Sequence, residues 1–132
     1  MKQLLFVSLL SLTIINGCKK DDDDPPSDTA AIITINAPTA NSHYVNNSNL
    51  LVRGSINDPD ILKSAKVEVK NKVTGAVLFT QTSFTGNIPM YSFDWSLAVS
   101  GIVTTFTATV KITSTDQFDY QTTKEVDIIL DP

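Results

Sequence analysis

Apolar and polar residues alternate along most of the chain from Ala31 onward. Val, Ile, Thr, Phe and Tyr recur at every second position, as in strands that have one buried and one solvated face. No stretch shows the three-to-four-residue spacing of an amphipathic helix, so the pattern predicts an all-β domain. Seven strands are expected, at residues 32–35, 50–56, 65–71, 76–82, 91–97, 106–113 and 120–130.

The fifth predicted strand has the clearest alternation and is expected to anchor the core. Its large apolar side chains, Tyr91, Phe93, Trp95 and Leu97, share one face, and small or polar residues occupy the other. In the second predicted strand, Gly54 leaves room opposite a large side chain. Seven strands in about 100 residues are typical of two packed sheets. The expected fold is an antiparallel β-sandwich.

The start of the chain has a different pattern. Lys2 supplies a positive charge, and the apolar run at 4–15 is too short to span about 30 Å of hydrocarbon as a helix. The run ends in Ile15-Asn16-Gly17-Cys18, which resembles the lipobox of bacterial lipoproteins. The resemblance implies a signal peptide at residues 1–17 and a membrane anchor through lipid on Cys18. The alternative, a buried free cysteine in an N-terminal helix, is not supported by any amphipathic pattern.

Residues 18–30 are expected to form an extended acidic linker, because a run of four aspartates at 21–24 and two prolines cannot bury apolar surface. Basic residues followed by acids beside the cysteine resemble the export signal of Bacteroidota surface lipoproteins. This resemblance implies an outer-membrane protein that faces the cell exterior, with a periplasm-facing lipoprotein as the alternative. Asp28-Thr29-Ala30 also resembles the O-glycosylation site of that phylum, which makes Thr29 a candidate for modification.

Charge and cysteine content exclude several classes of function. The chain has 14 acidic and 10 basic residues, but from Ala31 onward there are nine acids and seven bases, so the domain is nearly neutral. It has no basic stripe to neutralise phosphates, and a nucleic-acid partner is not expected. The single cysteine excludes an intramolecular disulfide and a cysteine-based zinc cluster.

The order of strands and turns resembles bacterial immunoglobulin-like domains over roughly residues 32–130. Residues 54–69 run from a strand through an Asp-rich turn into Val67-Glu68-Val69, and residues 106–116 match a second motif of such domains. The chain departs from them at Gln117-Phe118, where a Gly-Asn turn is common. The resemblance, which extends to Bacteroidota lipoproteins with the same anchor-linker-sandwich plan, implies an immunoglobulin-like sandwich at residues 31–132. It leaves function open, because this fold hosts many unrelated activities.

Few residues are suited to catalysis, and an enzyme is not expected. His43 is the only histidine, and it is predicted to lie in a surface loop between the first two strands. With Cys18 carrying lipid, the chain offers no Cys/His pair, no Ser/His/Asp set and no three-ligand zinc set. No cofactor is expected.

Four aspartates form the main candidate site. Asp58 and Asp60 follow the second predicted strand, Asp116 and Asp119 follow the sixth, and in an immunoglobulin-type sandwich these loops share one pole. Their carboxylates would suit calcium, which prefers oxygen ligands. Alternatively, each aspartate caps its own turn. Phe118, at a loop tip, is a candidate ligand contact.

Two functions are consistent with these observations. The first is a non-enzymatic, lipid-anchored module of the cell surface that binds a glycan or an envelope protein, for which an exposed aromatic and polar concavity would be evidence. The second is a structural spacer or accessory subunit on a larger outer-membrane complex, such as a nutrient importer. A flat apolar patch or a bare edge strand would favour the second.

Overall fold

The computed structural model describes residues 29–132, which form an all-β domain. Its strands alternate buried and exposed side chains, as the sequence pattern predicts. They are β1 (Ile32–Ala37), β2 (His43–Val45), β3 (Asn49–Asn71), β4 (Val77–Ala98), β5 (Phe106–Asp116) and β6 (Gln121–Asp131). Among these residues, no helix is long and apolar enough to cross a membrane.

The strand positions are confirmed, but two of the predicted connections are wrong. The predicted strands at 50–56 and 65–71 belong to the single strand β3, and those at 76–82 and 91–97 belong to β4. The chain bends within each, and the register of the β3–β4 ladder shifts between Asn57 and Ser64. Ile61, Gly86 and Asn87 take positive φ at the bends. A bulge of this kind lets a strand pass from one layer to the other.

The two bends divide the sheet into two layers. The first contains β1, the first half of β3 and the second half of β4. The second contains the first half of β4, the second half of β3, β5, β6 and the short strand β2. All neighbours are antiparallel except β2 and β6. The curled sheet forms a β-sandwich of immunoglobulin type, as expected.

The core lies between the inward faces of the two layers. Phe93, Trp95 and Leu97 are at most 5% exposed, which confirms the fifth predicted strand as a core element, and Tyr91 is half-buried beside them. The opposite layer contributes aliphatic side chains with almost no exposure. They are Ala65, Val67, Val69, Ala108, Val110, Ile112, Ile128 and Leu130.

The strands run between two ends of the sandwich. The N-terminal pole contains the β3 bend at residues 58–63 and the β5–β6 turn at 117–120, and the backbone N–H of Thr29 donates to Asp60 Oδ2 there at 2.7 Å. Gln117 N donates to Ile61 O at 3.0 Å, so the two Asp-bearing loops share a pole as predicted. The distal pole contains the connections at residues 46–48, 72–76 and 99–105. Because β5 has 11 residues, the poles lie about 35 Å apart.

Candidate binding surfaces

The two buried aspartates of the N-terminal pole cap their own turns. Asp58 is 3% exposed, and its Oδ1 accepts from Asp60 N at 2.9 Å. Asp116 is 2% exposed, and its Oδ1 accepts from Phe118 N and Tyr120 N, each at 2.8 Å. These are the short-range hydrogen bonds of Asx-type turns. The geometry therefore supports the structural interpretation of both residues.

The other two candidate calcium ligands are engaged in exposed contacts. Asp60 Oδ2 accepts from Thr29 N, and Asp119 Oδ1 lies 2.5 Å from Lys63 Nζ. Within residues 29–132, no three or more His, Cys, Asp and Glu side chains are grouped so that they could hold a metal ion. The structure thus does not assemble the four aspartates into the predicted cluster. Calcium binding stays a prediction that the geometry does not strengthen.

His43 does not lie in a loop as predicted, because it belongs to β2, which pairs with the end of β6. Its Nδ1 lies 2.7 Å from Asp131 Oδ2, and Thr105 donates to the other oxygen at 2.8 Å. The His43 contact, followed by that from Thr105, lowers the pKa of Asp131. The histidine thus joins β2 to the end of the chain.

The remaining predicted sites are exposed or lie outside the described residues. Phe118 is 46% exposed and its neighbour Tyr120 is 42% exposed, so both aromatic rings are accessible at the N-terminal pole. Thr29 is exposed at the start of the described residues. Cys18 lies outside them. Ligand contact by Phe118 and glycosylation of Thr29 stay predictions.

The charged side chains on the outer face of the second layer are paired with one another. Glu68 lies between Lys70 and Lys66, at 2.7 and 3.1 Å, and these two lysines lower the pKa of its carboxyl group. Lys72 pairs with Asp127, whose pKa is lowered by Lys72 and then by a hydrogen bond from Thr109. Because these charges already have partners, this face is less suited to a charged ligand.

The distal pole exposes aliphatic side chains among its polar ones. Val73 and Val103 are 87% and 83% exposed at the tips of two separate connections, and Val45 is 54% exposed on β2. These valines are not among the sites predicted from the sequence. The signal that was available is the presence of valines in turn segments that otherwise contain Gly, Thr and Ser. Exposed aliphatic side chains gathered at one end of a domain are a feature of protein-binding surfaces.

A pocket of about 100 Å³ opens beside these loops, between the start and the end of β4. Every residue of its walls except Ser100 has an apolar side chain. The walls are formed by Leu50, Val69, Leu78, Phe79, Leu97, Ala98, Val99, Ser100, Ile102 and Leu130. Its volume suits one aliphatic side chain, since it is similar to the cavity left when a large core residue is truncated.

Hydrogen bonds hold the distal connections together. Asn47 N donates to Val99 O at 2.8 Å, and Val99 N donates back to Ser48 O at 2.9 Å. Asn46 Oδ1 accepts from Ile102 N at 3.3 Å. Because these bonds link two different connections, the distal pole is pre-organised and needs little ordering to bind a partner.

Comparisons with known proteins agree with the fold. No protein-family model and no curated protein matches the chain. The fibronectin(III)-like modules of CbhA from Clostridium thermocellum are similar to it in structure, with a TM-score of 0.50 at 13% identity, covering 76% of this chain and 96% of theirs. This likeness shows the fold alone.

Two further solved structures are similar over comparable lengths. CopC from Methylosinus trichosporium OB3b has a TM-score of 0.49 at 11% identity and covers 78% of this chain and 95% of its own. Murine CRIg has a TM-score of 0.45 at 8% identity and covers 78% and 98%. The fold of the chain is immunoglobulin-like, as its own strand topology and the likeness to the CbhA modules show, and its function has to be inferred from its own surfaces.

Proposed function

We propose that this chain is a non-enzymatic, lipid-anchored module of the bacterial cell envelope that binds a protein partner through its distal pole. The observation that carries the proposal is the position of Val73 and Val103, exposed at the pole opposite Thr29. A chain tethered through Cys18 enters the domain at the N-terminal pole. The distal pole is then the end that lies farthest from the point of entry.

The anchor and the location rest on the sequence. The lipobox-like residues before Cys18 support lipidation, and the basic and acidic residues after it support export to the outer face of the outer membrane. Two or three acyl chains, at about 0.8 kcal/mol per buried CH₂, would make release into water slow. Membership of a Bacteroidota-type surface lipoprotein family is part of the proposal.

A protein is favoured over a glycan as the partner because exposed valines and a pocket with apolar side chains lie at the distal pole. Glycan sites present aromatic faces on which sugar rings stack, whereas Val73, Val103 and the pocket beside Leu78 offer shape and apolar area. The exposed rings of Phe84 and Phe118 are the features that would support a glycan, and both lie toward the N-terminal pole. Docking of a larger complex through an edge strand is the alternative, and the open edge of β4 supports it.

The test is co-purification of an envelope partner with the full-length protein expressed in a bacterium. A Val73→Asp/Val103→Asp variant should lose the partner, while Ile32→Asp, which alters a 67% exposed side chain at the N-terminal pole, should retain it. Retention of the partner by the distal variant, or specific binding on a glycan array, would contradict the proposal. The anchor is tested separately: a Cys18→Ser variant should lose incorporation of labelled fatty acid and should leave the membrane fraction.

A further inference from the structure

The strand β4 is an edge strand along its whole length. Within residues 29–132 it pairs with β3 alone, so its 22 residues leave one row of backbone N–H and C=O groups without a strand partner. The other edges are shorter. They are the six residues of β1 and the side of β6 that the three-residue β2 covers only at residues 129–131. Long open edges are templates for pairing with another strand unless the sequence blocks them.

The two halves of β4 differ in how well they are blocked. The second half begins with Pro89 and carries Asp94, which pairs with Arg53 at 2.9 Å. The first half, residues 77–84, contains no charge, no proline and no glycine, and the uncharged stretch continues to Phe93. Proline and charge are the usual protection of an edge. The first half therefore lacks charge and proline as protection, and its one break in register to β3 is the bulge at Leu78, opposite Val69 and Lys70.

The exposed side chains of this half lie on the outer face of the second layer. Thr80 and Thr82 are opposite Glu68 and Lys66, and Phe84 is opposite Ser64. Phe84 is 84% exposed although it is a large aromatic residue. At the other end of the same segment, Val77 is 51% exposed. An added strand would cover both ends.

We infer that residues 77–84 pair with the same residues of a second copy of this chain, antiparallel about a two-fold axis at Gln81. In this register Thr80 of each copy lies directly opposite Thr82 of the other copy. The register places Phe84 opposite the Val77–Leu78 end of the other copy, so that apolar side chains cover each other. The two second layers then form one continuous sheet.

The absence of charge is what favours a second copy. In a two-fold pairing, residues 77–84 of one copy lie against residues 77–84 of the other, so a charge in this segment could lie close to a like charge. The segment contains no charge, so this repulsion does not arise. The contact uses the outer face and backbone of β4 and shares Leu78 with the pocket of the proposed partner site. The variants that test the partner site change Val73 and Val103 and leave β4 intact, so either proposal can fail without the other.

The test uses the domain of residues 29–132, since every residue of the core cluster lies between Ala31 and Leu130. Sedimentation equilibrium should show a monomer that converts to a dimer as concentration rises. A Thr80→Lys/Thr82→Lys variant sets lysine opposite lysine and should stay monomeric at concentrations where the parent is dimeric. A Thr80→Lys/Thr82→Glu variant sets lysine opposite glutamate and should dimerise.

Ser92→Lys/Ser96→Lys is the matched control, because it adds two lysines to the second half of the same strand and should leave the dimer intact. A spin label at Gln81→Cys, which is the only cysteine in the domain, should show a short intermolecular distance, and one at Thr123→Cys a long one. This measurement needs no change of charge, so it stands even if the lysine variant fails to fold. A monomer at every concentration, a dimer that survives both lysines, or a long distance at position 81 would overturn the inference.

Discussion

Trp95 donates its indole N–H to the Ser83 hydroxyl at 3.3 Å, although both residues belong to β4 and are 12 positions apart. Ser83 lies in the first half of the strand and Trp95 in the second, so the bond crosses the core between the two layers. Phe93 stacks on the indole, with ring centroids 4.7 Å apart and planes at 14°. One side chain thus joins the two layers of a sandwich that has no disulfide to do so.

Replacing this tryptophan should be far more costly than removing its hydrogen bond. Trp95→Ala is expected to lower the free energy of unfolding by about 3–5 kcal/mol, because it leaves a large cavity and removes the stack on Phe93. Ser83→Ala should lower it by about 1 kcal/mol, the usual net value of one hydrogen bond. Urea denaturation followed by circular dichroism measures both. Equal losses would show that the hydrogen bond, and not packing, dominates.

Gly54 cannot be replaced without moving the backbone. A Cβ at this position would lie 2.0 Å from Thr34 O and 2.6 Å from Phe93 Cζ. Gly54→Ala is therefore expected to destabilise the domain by about 3 kcal/mol, at the upper end of overpacking effects. The control is Gly75→Ala, which meets no atom within 4 Å but has φ of 73°, and should cost about 1 kcal/mol. A Gly54→Ala variant as stable as the control would contradict the close approach.

Gly54 also shows which parts of the fold could be predicted from the sequence. Alternation of side chains gave the strands, their inward faces and the space opposite Gly54, because burial of one face is a local property of each strand. The merging of predicted strands into β3 was not predictable, because Asp58-Pro59-Asp60 has the composition of a loop. These residues form the bulge at which the β3–β4 ladder shifts its register, and the strand continues past them because neighbouring strands pair with Asn57 before it and with Leu62 after it.

The candidate sites, like the fold, could be predicted only in part from the sequence. The shared pole of the Asp58 and Asp116 loops followed from topology and is confirmed. Whether their carboxylates converge depends on side-chain direction, which no spacing encodes, and here each carboxylate turns to its own backbone. The distal valines were missed because a single apolar residue in a turn is common. Only the fold shows that Val73 and Val103 lie at the same end.

Asp116 is expected to be a structural residue of its turn. Asp116→Ala removes the acceptor for Phe118 N and Tyr120 N and should lower the free energy of unfolding by about 2–3 kcal/mol, since hydrogen bonds to a charged group are the strong ones. Asp119→Ala, which removes an exposed contact with Lys63, should cost less than about 1 kcal/mol. Similar losses for both variants would argue against this role.

Calcium should have no effect on the domain if the aspartates act as turn caps. Isothermal titration calorimetry with calcium chloride is expected to show no binding heat, and the melting temperature should not change. Asp58→Ala and Asp116→Ala serve as the controls, because removal of a calcium ligand would abolish any binding heat. Heat in the parent that both variants lose would establish the calcium site that the sequence suggested.

The stability of the domain should fall in acid partly through Glu68. Lys70 and Lys66 lower the pKa of this carboxyl group below its usual value of 4.5, so the folded protein binds the proton less readily than the unfolded chain. The stabilisation is therefore fully present above about pH 4.5 and is lost as the pH falls toward the lowered pKa of the folded state. Asp127, which pairs with Lys72, acts in the same direction, because its pKa is lowered from the usual value of 3.8.

Glu68→Gln should be less stable than the parent at pH 7, and the difference in the free energy of unfolding should shrink at pH 3 in urea titrations. Asp94→Asn, which removes the exposed pair with Arg53, is the control and should change the pH profile less. If the free energies of unfolding of the parent and Glu68→Gln differ by the same amount at pH 7 and at pH 3, the two lysines do not stabilise the charged carboxylate over its protonated form.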